Sequence, residues 1–291
     1  MTVFASTAAL PGTANLWSRL GEYADAGITA VELGAGVSMS EMGTDELAAQ
    51  LEAVDLRYVV HNYFPPPAAP FFLNLASPDA ATRAASVALA ERALTLSSQL
   101  QASYYSVHGG WISDPVGMGE TSLVLADSAD DWASAMDRFS TSVERLLRHA
   151  EACQVDLLVE NNVCTPELRG KVLFAGPEDF HTLFARLGSE RLGVLADFGH
   201  LNVAAATLGF HRDDFVESLS PHIKAFHVHD NDGTADTHQP VTEGSWAFDV
   251  LRRPEIGAAG VVDEGRYSTA EALAAHLGLL SREAGRTGAR S

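Results

Sequence analysis

The sequence predicts an α/β fold, a single (β/α)8 TIM barrel with its active site at the C-terminal ends of the strands. Three observations predict it. Eight short β-branched runs recur along 291 residues. Between several of them lie Ala/Leu-rich stretches with apolar residues at three- and four-residue steps. Polar residues collect where the runs end, the face on which barrels of this kind carry their chemistry.

The elements follow in order. VFAS (3–6), ITAVEL (28–33) and RYVVH (57–61) are the first three strands. NYFPPPAAPFF (62–72) is the one Pro-rich segment. It follows a strand end and is placed over the barrel mouth, a rigid spacer being the plainer alternative. A long helix, ATRAASVALAERALTLSSQL (81–100), leads to SYYSVH (103–108). The acidic insertion SDPVGMGETSLVLADSADD (113–131) reads as a lid or a solvated excursion. A second long helix (134–153) precedes DLLVE (156–160), LGVLAD (192–197), IKAFHV (223–228) and GVVDE (260–264), and a last helix covers 269–285. Several runs are apolar on both sides, as strands of a buried parallel sheet are. An open doubly wound sheet would need a Gly-rich phosphate loop after its first strand, and neither GxGxxG nor GxxxxGK[ST] occurs. No short period marks an internal repeat, and no linker divides residues 1–291.

Composition bounds the partners. Apolar residues make up 46% and charged residues 20%, enough for a sizeable core. Lys+Arg number 19 against 38 Asp+Glu, a net charge of −19. That excess opposes binding to nucleic acid or an anionic membrane and suits a small-molecule substrate. No apolar run approaches the ~18 residues of a membrane span. MTVFASTAALPG has no basic n-region, and Cys153 and Cys164 lack CxxC spacing, so a cytoplasmic protein with reduced thiols is expected. Homo-oligomer formation is left open.

The strand ends read His61, His108, Glu160, Asp197, His227 and Glu264, followed closely by His200, Asp236 and His238. Any one of these alone is more simply a hydrogen-bonded core residue. Nine Asp, Glu and His side chains on one face are different, because packed acids and imidazoles without a counter-charge are costly. Divalent cations remove that cost. Mixed His and carboxylate ligands suit Zn, Mn or Fe better than Ca or Mg, and nine donors suit one to three ions per chain. Strand alternation puts His229 on the side of His227, so His229 or Asp230 is expected to orient a ligand imidazole, with a helix-capping or loop role as the equal alternative. Glu264 is preferred over Asp263, though a one-residue register slip exchanges them. Glu32 is a buried anchor or a general acid/base. Arg266 and Tyr267 hold an anionic or hydroxyl group of a substrate, or cover the last helix. Lys224 lies at the far end of its strand, which disfavours a Schiff base. Cys164 reads as a packed thiol, and no GxSxG is present.

With these residues in place, the chain resembles the xylose-isomerase-like TIM-barrel superfamily, the sugar phosphate isomerase/epimerase and endonuclease IV group, from about residue 20 to 270. The matching motifs are HNYF with FFLNLASPD (61–79), YSVHGG (105–110), LLVENN (157–162), ADFGH (196–200) and FHVHDNDGTADTHQPVTEG (226–244). The resemblance to the isomerase and epimerase branch implies one metal on Glu160, Asp197, His227 and Glu264, with Glu160 and Glu264 doubling as catalytic acid/base groups. The resemblance to the endonuclease IV branch implies further ligands at His61, His108, His200, Asp236 and His238. Here TEG (242–244) stands where that branch has GEG.

Three functions follow as expectations. The five extra ligands favour multinuclear, metal-assisted hydrolysis of a small sugar or nucleoside phosphoester. The alternative is a mononuclear sugar (phosphate) isomerase or epimerase with paired glutamates moving protons. The third, a non-catalytic barrel subunit, sits poorly with the intact ligand set.

Overall fold

A computed structural model describes residues 2–119, 123–127, 130–253 and 260–284. Eight parallel strands close into a barrel: β1 (Val3–Ser6), β2 (Ala30–Leu33), β3 (Arg57–His61), β4 (Tyr104–His108), β5 (Asp156–Glu160), β6 (Leu192–Asp197), β7 (Ile223–Val228) and β8 (Gly260–Asp263). Each pairs with its sequence neighbours, and β8 closes onto β1 through Val3↔Val261 and Ala5↔Asp263. The eight runs read from sequence are these strands, with ends shifted by two residues at most. The predicted helices are Ala80–Gln99, Trp132–Cys153 and Ala270–Ala284; residue 285 lies outside the described residues.

The helices pack outside the barrel by the expected periodicity. Trp132–Cys153 buries Met136, Phe139, Val143, Leu146, Leu147 and Ala150 along one stripe. The Asp131 and Asp79 carboxylates accept the Ser134 and Thr82 amides at 2.8 Å and cap two of the helices; each cap contributes about 1 kcal/mol.

The barrel interior explains where the site lies. One apolar side chain from each strand, Phe4, Ala30, Val59, Tyr104, Leu158, Leu195, Ala225 and Val262, forms a buried plug. Strand side chains return to the same face every second residue. Two residues onward stand Ser6, Glu32, His61, Ser106, Glu160, Asp197, His227 and Glu264. The plug is followed directly by a wholly polar layer, and one more step from Ser106 and His227 adds His108 and His229.

The insertion 113–131 begins with an antiparallel hairpin of Pro115–Met118 and Leu123–Leu125, while residues 120–122 and 128–129 lie outside the described residues. Its entry is tied down: the Asp114 carboxylate accepts from the Asn74 amide at 2.9 Å and the Ser77 hydroxyl at 2.7 Å. Lys224 pairs with Asp156 at 2.8 Å at the opposite end of the barrel from the polar layer. No helix among the described residues is long and apolar enough to cross a membrane.

Candidate metal centre

The polar layer is internally bonded. Ser6 Oγ donates to Glu264 Oε1 at 3.0 Å, and His61 Nδ1 meets Ser106 Oγ at 2.9 Å. Glu32 is fully buried with Oε2 3.1 Å from His227 Nε2. It therefore fixes the His227 ring and leaves Nδ1 facing inward. That Nδ1 lies 3.3 Å from Glu160 Oε1, 3.5 Å from Asp197 Oδ2 and 3.4 Å from Glu264 Oε2. Glu160 is wedged among four imidazoles: Oε2 is 3.5 Å from His61 Nε2 and 3.3 Å from His108 Nε2. Its Oε1 faces His200 Nδ1, also at 3.3 Å.

Asp197 ends β6 and caps the helix that follows, accepting the His200 amide at 2.6 Å. Asn161 clamps it from both sides, accepting from the Asp197 amide at 2.7 Å and donating to its carbonyl at 3.0 Å. The Asn161 carbonyl also meets His200 Nδ1 at 2.9 Å. The sequence reading assigned Asn161 nothing; its signal was its place directly after a strand-end carboxylate.

Asp236 and His238 come from the loop after β7, with His238 Nε2 3.0 Å from Asp236 Oδ2 and His200 Nε2 3.4 Å from it. His229 is more central than expected. It is fully buried, its Nε2 is 2.9 Å from Asp197, its Nδ1 is 3.6 Å from Asp236, and its ring stacks on His238 with centroids 4.0 Å apart. Asp230 takes the loop role. Its carboxylate accepts the Asn231 amide at 2.9 Å and the Ser245 hydroxyl at 3.4 Å, so it touches no ligand imidazole. Its backbone pairs with Gln239 at 2.7 and 2.8 Å and so anchors the loop carrying Asp236 and His238.

Glu264 rather than Asp263 faces the cluster, because Val262 belongs to the plug and Glu264 follows it by two. Asp263 points outward, where the Tyr267 hydroxyl and His276 Nδ1 reach it at 3.0 and 2.7 Å. Tyr267 thus covers the strand from outside, and the cavity side is left to Arg266. Cys164 is packed beside Trp111, Leu168 and Val172, and both cysteines are free thiols.

Charge in the layer is set by its own contacts. Burial would raise the carboxylates of Glu160, Asp197, Asp236 and Glu264, but the adjoining histidines outweigh it and hold all four below the usual range. Burial would lower the imidazoles of His200 and His227, yet the surrounding carboxylates push both well above the ordinary value. His238 is raised to about 9 against its burial by Asp236, Glu264 and Asp197. His61 goes the other way, to about 3, because its burial is not offset.

The residues present fit divalent cations. Glu160 Oε2, His227 Nδ1, His229 Nδ1 and Asp236 Oδ1 are buried and without hydrogen bonds. A neutral orphan of this kind costs about 1–3 kcal/mol, and a charged one more. Their neighbours form donor trios within 4.8 Å of one another: His61, His108 and Glu160; Glu160, Asp197 and His227; His229, Asp236 and His238. Glu160 belongs to two of them. His200 falls in a further trio with Asp197 and His229, rather than with Asp236 and His238.

Above the layer lies a cavity of about 590 Å³ with His108, His200, Asp236 and His238 on its floor. Tyr63, Pro70, Phe71 and Phe72 of the Pro-rich loop line it, with Trp111, Leu123 and Arg266.

One backbone position is set by the site. A Cβ at Gly199 would overlap the His229 ring. Gly199→Ala is expected to displace that ring, lower metal content and destabilise the fold by about 1–3 kcal/mol. Elemental analysis and thermal melting check this; retained metal at an unchanged Tm would refute it.

A family model described as xylose isomerase-like TIM barrel matches residues 20–257. The uncharacterized protein MJ1311 of Methanocaldococcus jannaschii is 31% identical over 197 residues, which are 67% of this chain but only 61% of that protein. A D-tagatose 3-epimerase-like protein superposes with a TM-score of 0.73 at 22% identity, covering 97% of both chains. L-ribulose 3-epimerase superposes with a TM-score of 0.68 at 16% identity, covering 97% of this chain and 94% of that one. At these identities the structural likeness is one of fold. With most of its length inside the matched model and a closed parallel barrel as its architecture, the chain belongs to the xylose isomerase-like TIM barrel family.

Proposed function

We propose that the chain is a divalent-metal-dependent sugar isomerase or epimerase that moves a proton at the carbon beside a carbonyl. The observation that carries this is the pair Glu160 and Glu264, whose carboxylates reach the same His227 Nδ1 at 3.3 and 3.4 Å beneath the cavity. L-ribulose 3-epimerase and the D-tagatose 3-epimerase-like protein share this fold and add support. Glu160, Asp197, His227 and Glu264 would hold an ion, which supplies polarisation of the substrate carbonyl.

The residues' own contributions follow from their contacts. Ser6 occupies Glu264 Oε1, so Oε2 is the oxygen free to take a proton. Glu264 is held ionised, as a base must be, and its side chain is 11% exposed where Glu160 is 1%. Glu264 is therefore the proton acceptor, and Glu160 its partner in the exchange. Aromatic walls suit the apolar faces of a sugar and exclude water.

Candidate ketoses turned over in D2O should acquire solvent deuterium beside the carbonyl. Glu264→Gln should lower kcat by about 10²–10⁴. Turnover without deuterium would sink the proton-transfer reading.

A second reading is multinuclear hydrolysis of a small phosphoester, which the sequence alone ranks first. One observation favours it: the two Glu160 oxygens face separate imidazole pairs, as a bridging carboxylate's do. Phosphate release from model esters, without deuterium exchange into any ketose, is its signature.

A further inference from the structure

We propose that Arg266, with a second cavity beside the main one, forms a subsite for an anionic group at the far end of the substrate. This deepens the sugar reading and rests on it for what lies over the metal layer. The second cavity measures about 360 Å³ and is walled by Ala8, Leu10, Pro11, Gly12, Gly36 and Tyr267, with Arg266 common to both cavities.

The backbone of Arg266 is fixed on both sides. Its amide donates to the His238 carbonyl at 2.8 Å, and the Tyr267 amide donates to the Ala9 carbonyl at 2.8 Å. Arg266 is thereby clamped between the loop that carries the cluster's His238 and the loop after β1. The loops around the cavity are closely packed: a Cβ on Gly36 would come within 2.9 Å of Ala8 Cα and Thr7 O.

The side chain of Arg266 is exposed and makes no hydrogen bond or ion pair with any described residue. Arg57, Arg83, Arg92, Arg169 and Arg212 also lack a carboxylate, but each bonds to a hydroxyl, carbonyl or amide oxygen of the protein, which the Arg266 guanidinium does not. Among the described residues Arg266 is also the sole Lys or Arg lining either cavity. A guanidinium presents a fork of donors that matches a phosphate or carboxylate in two bonds. Arg266 is exposed, so an anionic group paired with it is held at the rim, away from the reacting carbons.

The test is calorimetric titration of the metal-replete protein with D-fructose, D-fructose 6-phosphate, D-fructuronate and inorganic phosphate. At least one of the two anionic sugars should bind about 10- to 100-fold more tightly than D-fructose. The tighter of the two identifies the anion. Arg266→Gln should abolish the preference; Arg266→Lys should restore part of it. Gly12→Asp, at a φ of 73° that Asp tolerates and with open space at its Cβ, should weaken only the anionic ligands. Equal binding of neutral and anionic sugars, or a preference that survives Arg266→Gln, overturns the subsite while leaving the sugar reading intact. Arg266-dependent binding of inorganic phosphate with no sugar binding at all supports the subsite and removes the sugar reading.

Discussion

Glu160→Gln is expected to lower kcat by at least about 10³ and to strip the protein of most of its metal. The substitution keeps the side chain's size, so the core around it need not repack. What it removes is the charge toward which His61, His108, His200 and His227 all turn, at 3.3 to 3.5 Å. Two donor trios share this one carboxylate, so its loss weakens both at once. In the metal-free protein the change is also a stability event. His200 and His227 are raised well above their ordinary values partly by Glu160. Removing one member of a buried charge set costs about 3–5 kcal/mol, which for a chain of this size is a Tm fall of roughly 10 °C. Elemental analysis, steady-state kinetics and calorimetry read the three effects separately. A variant with full metal content and kcat within tenfold of the parent would reduce Glu160 to a core residue.

The reason so much of this centre could be read from sequence lies in the barrel's own period. A strand-end residue is recognisable because it breaks an apolar run. His61, Glu160, Asp197 and His227 do so, and each sits two residues beyond a plug residue. Ser6 and Ser106 occupy the same layer yet escaped notice, because a serine at a strand end carries no signal of its own. Glu32 was seen but not understood: its contact with His227 spans β2 to β7, and no local pattern encodes a pairing across the barrel. His229 was underestimated because its importance comes from Asp197 and Asp236, which lie on a different strand and in a loop. Asp230 stood open between two roles for the converse reason. It follows the cluster's His229 in sequence, but its carboxylate turns back to its own loop. The choice between Asp263 and Glu264 turned on a one-residue register, which the plug residue Val262 decides and composition does not.

Metal binding at pH 7 is expected to release protons, and their number counts the trios filled beyond that of His61, His108 and Glu160. His61 lies near 3 because burial disfavours its charge, and burial likewise lowers His108, so filling the His61, His108 and Glu160 trio releases none. His227 is raised despite its burial by Glu264, Glu32 and Glu160 and enters as an imidazolium. Glu32 holds the proton on Nε2, so the proton lost is that on Nδ1, the atom that faces the cluster. His238, at about 9, gives up a second proton when the His229, Asp236 and His238 trio fills. One released proton thus means that one of these two trios fills, and two mean that both do; a third is His200's, raised in the same way and set in the trio with Asp197 and His229. The sign of the pH dependence follows. A histidine with a raised folded-state value stabilises the metal-free fold fully below its unfolded value of about 6.5, and that contribution fades as pH rises through the folded value. For His238 the window runs from about 6.5 to about 9. Metal affinity moves oppositely, rising through the same window because the competing proton departs. Titration of Zn or Mn in two buffers of different ionisation enthalpy counts the protons directly. Metal uptake with no proton released at pH 7 would confine the ion to His61, His108 and Glu160, and would take His227 out of the centre on which the proposed chemistry depends.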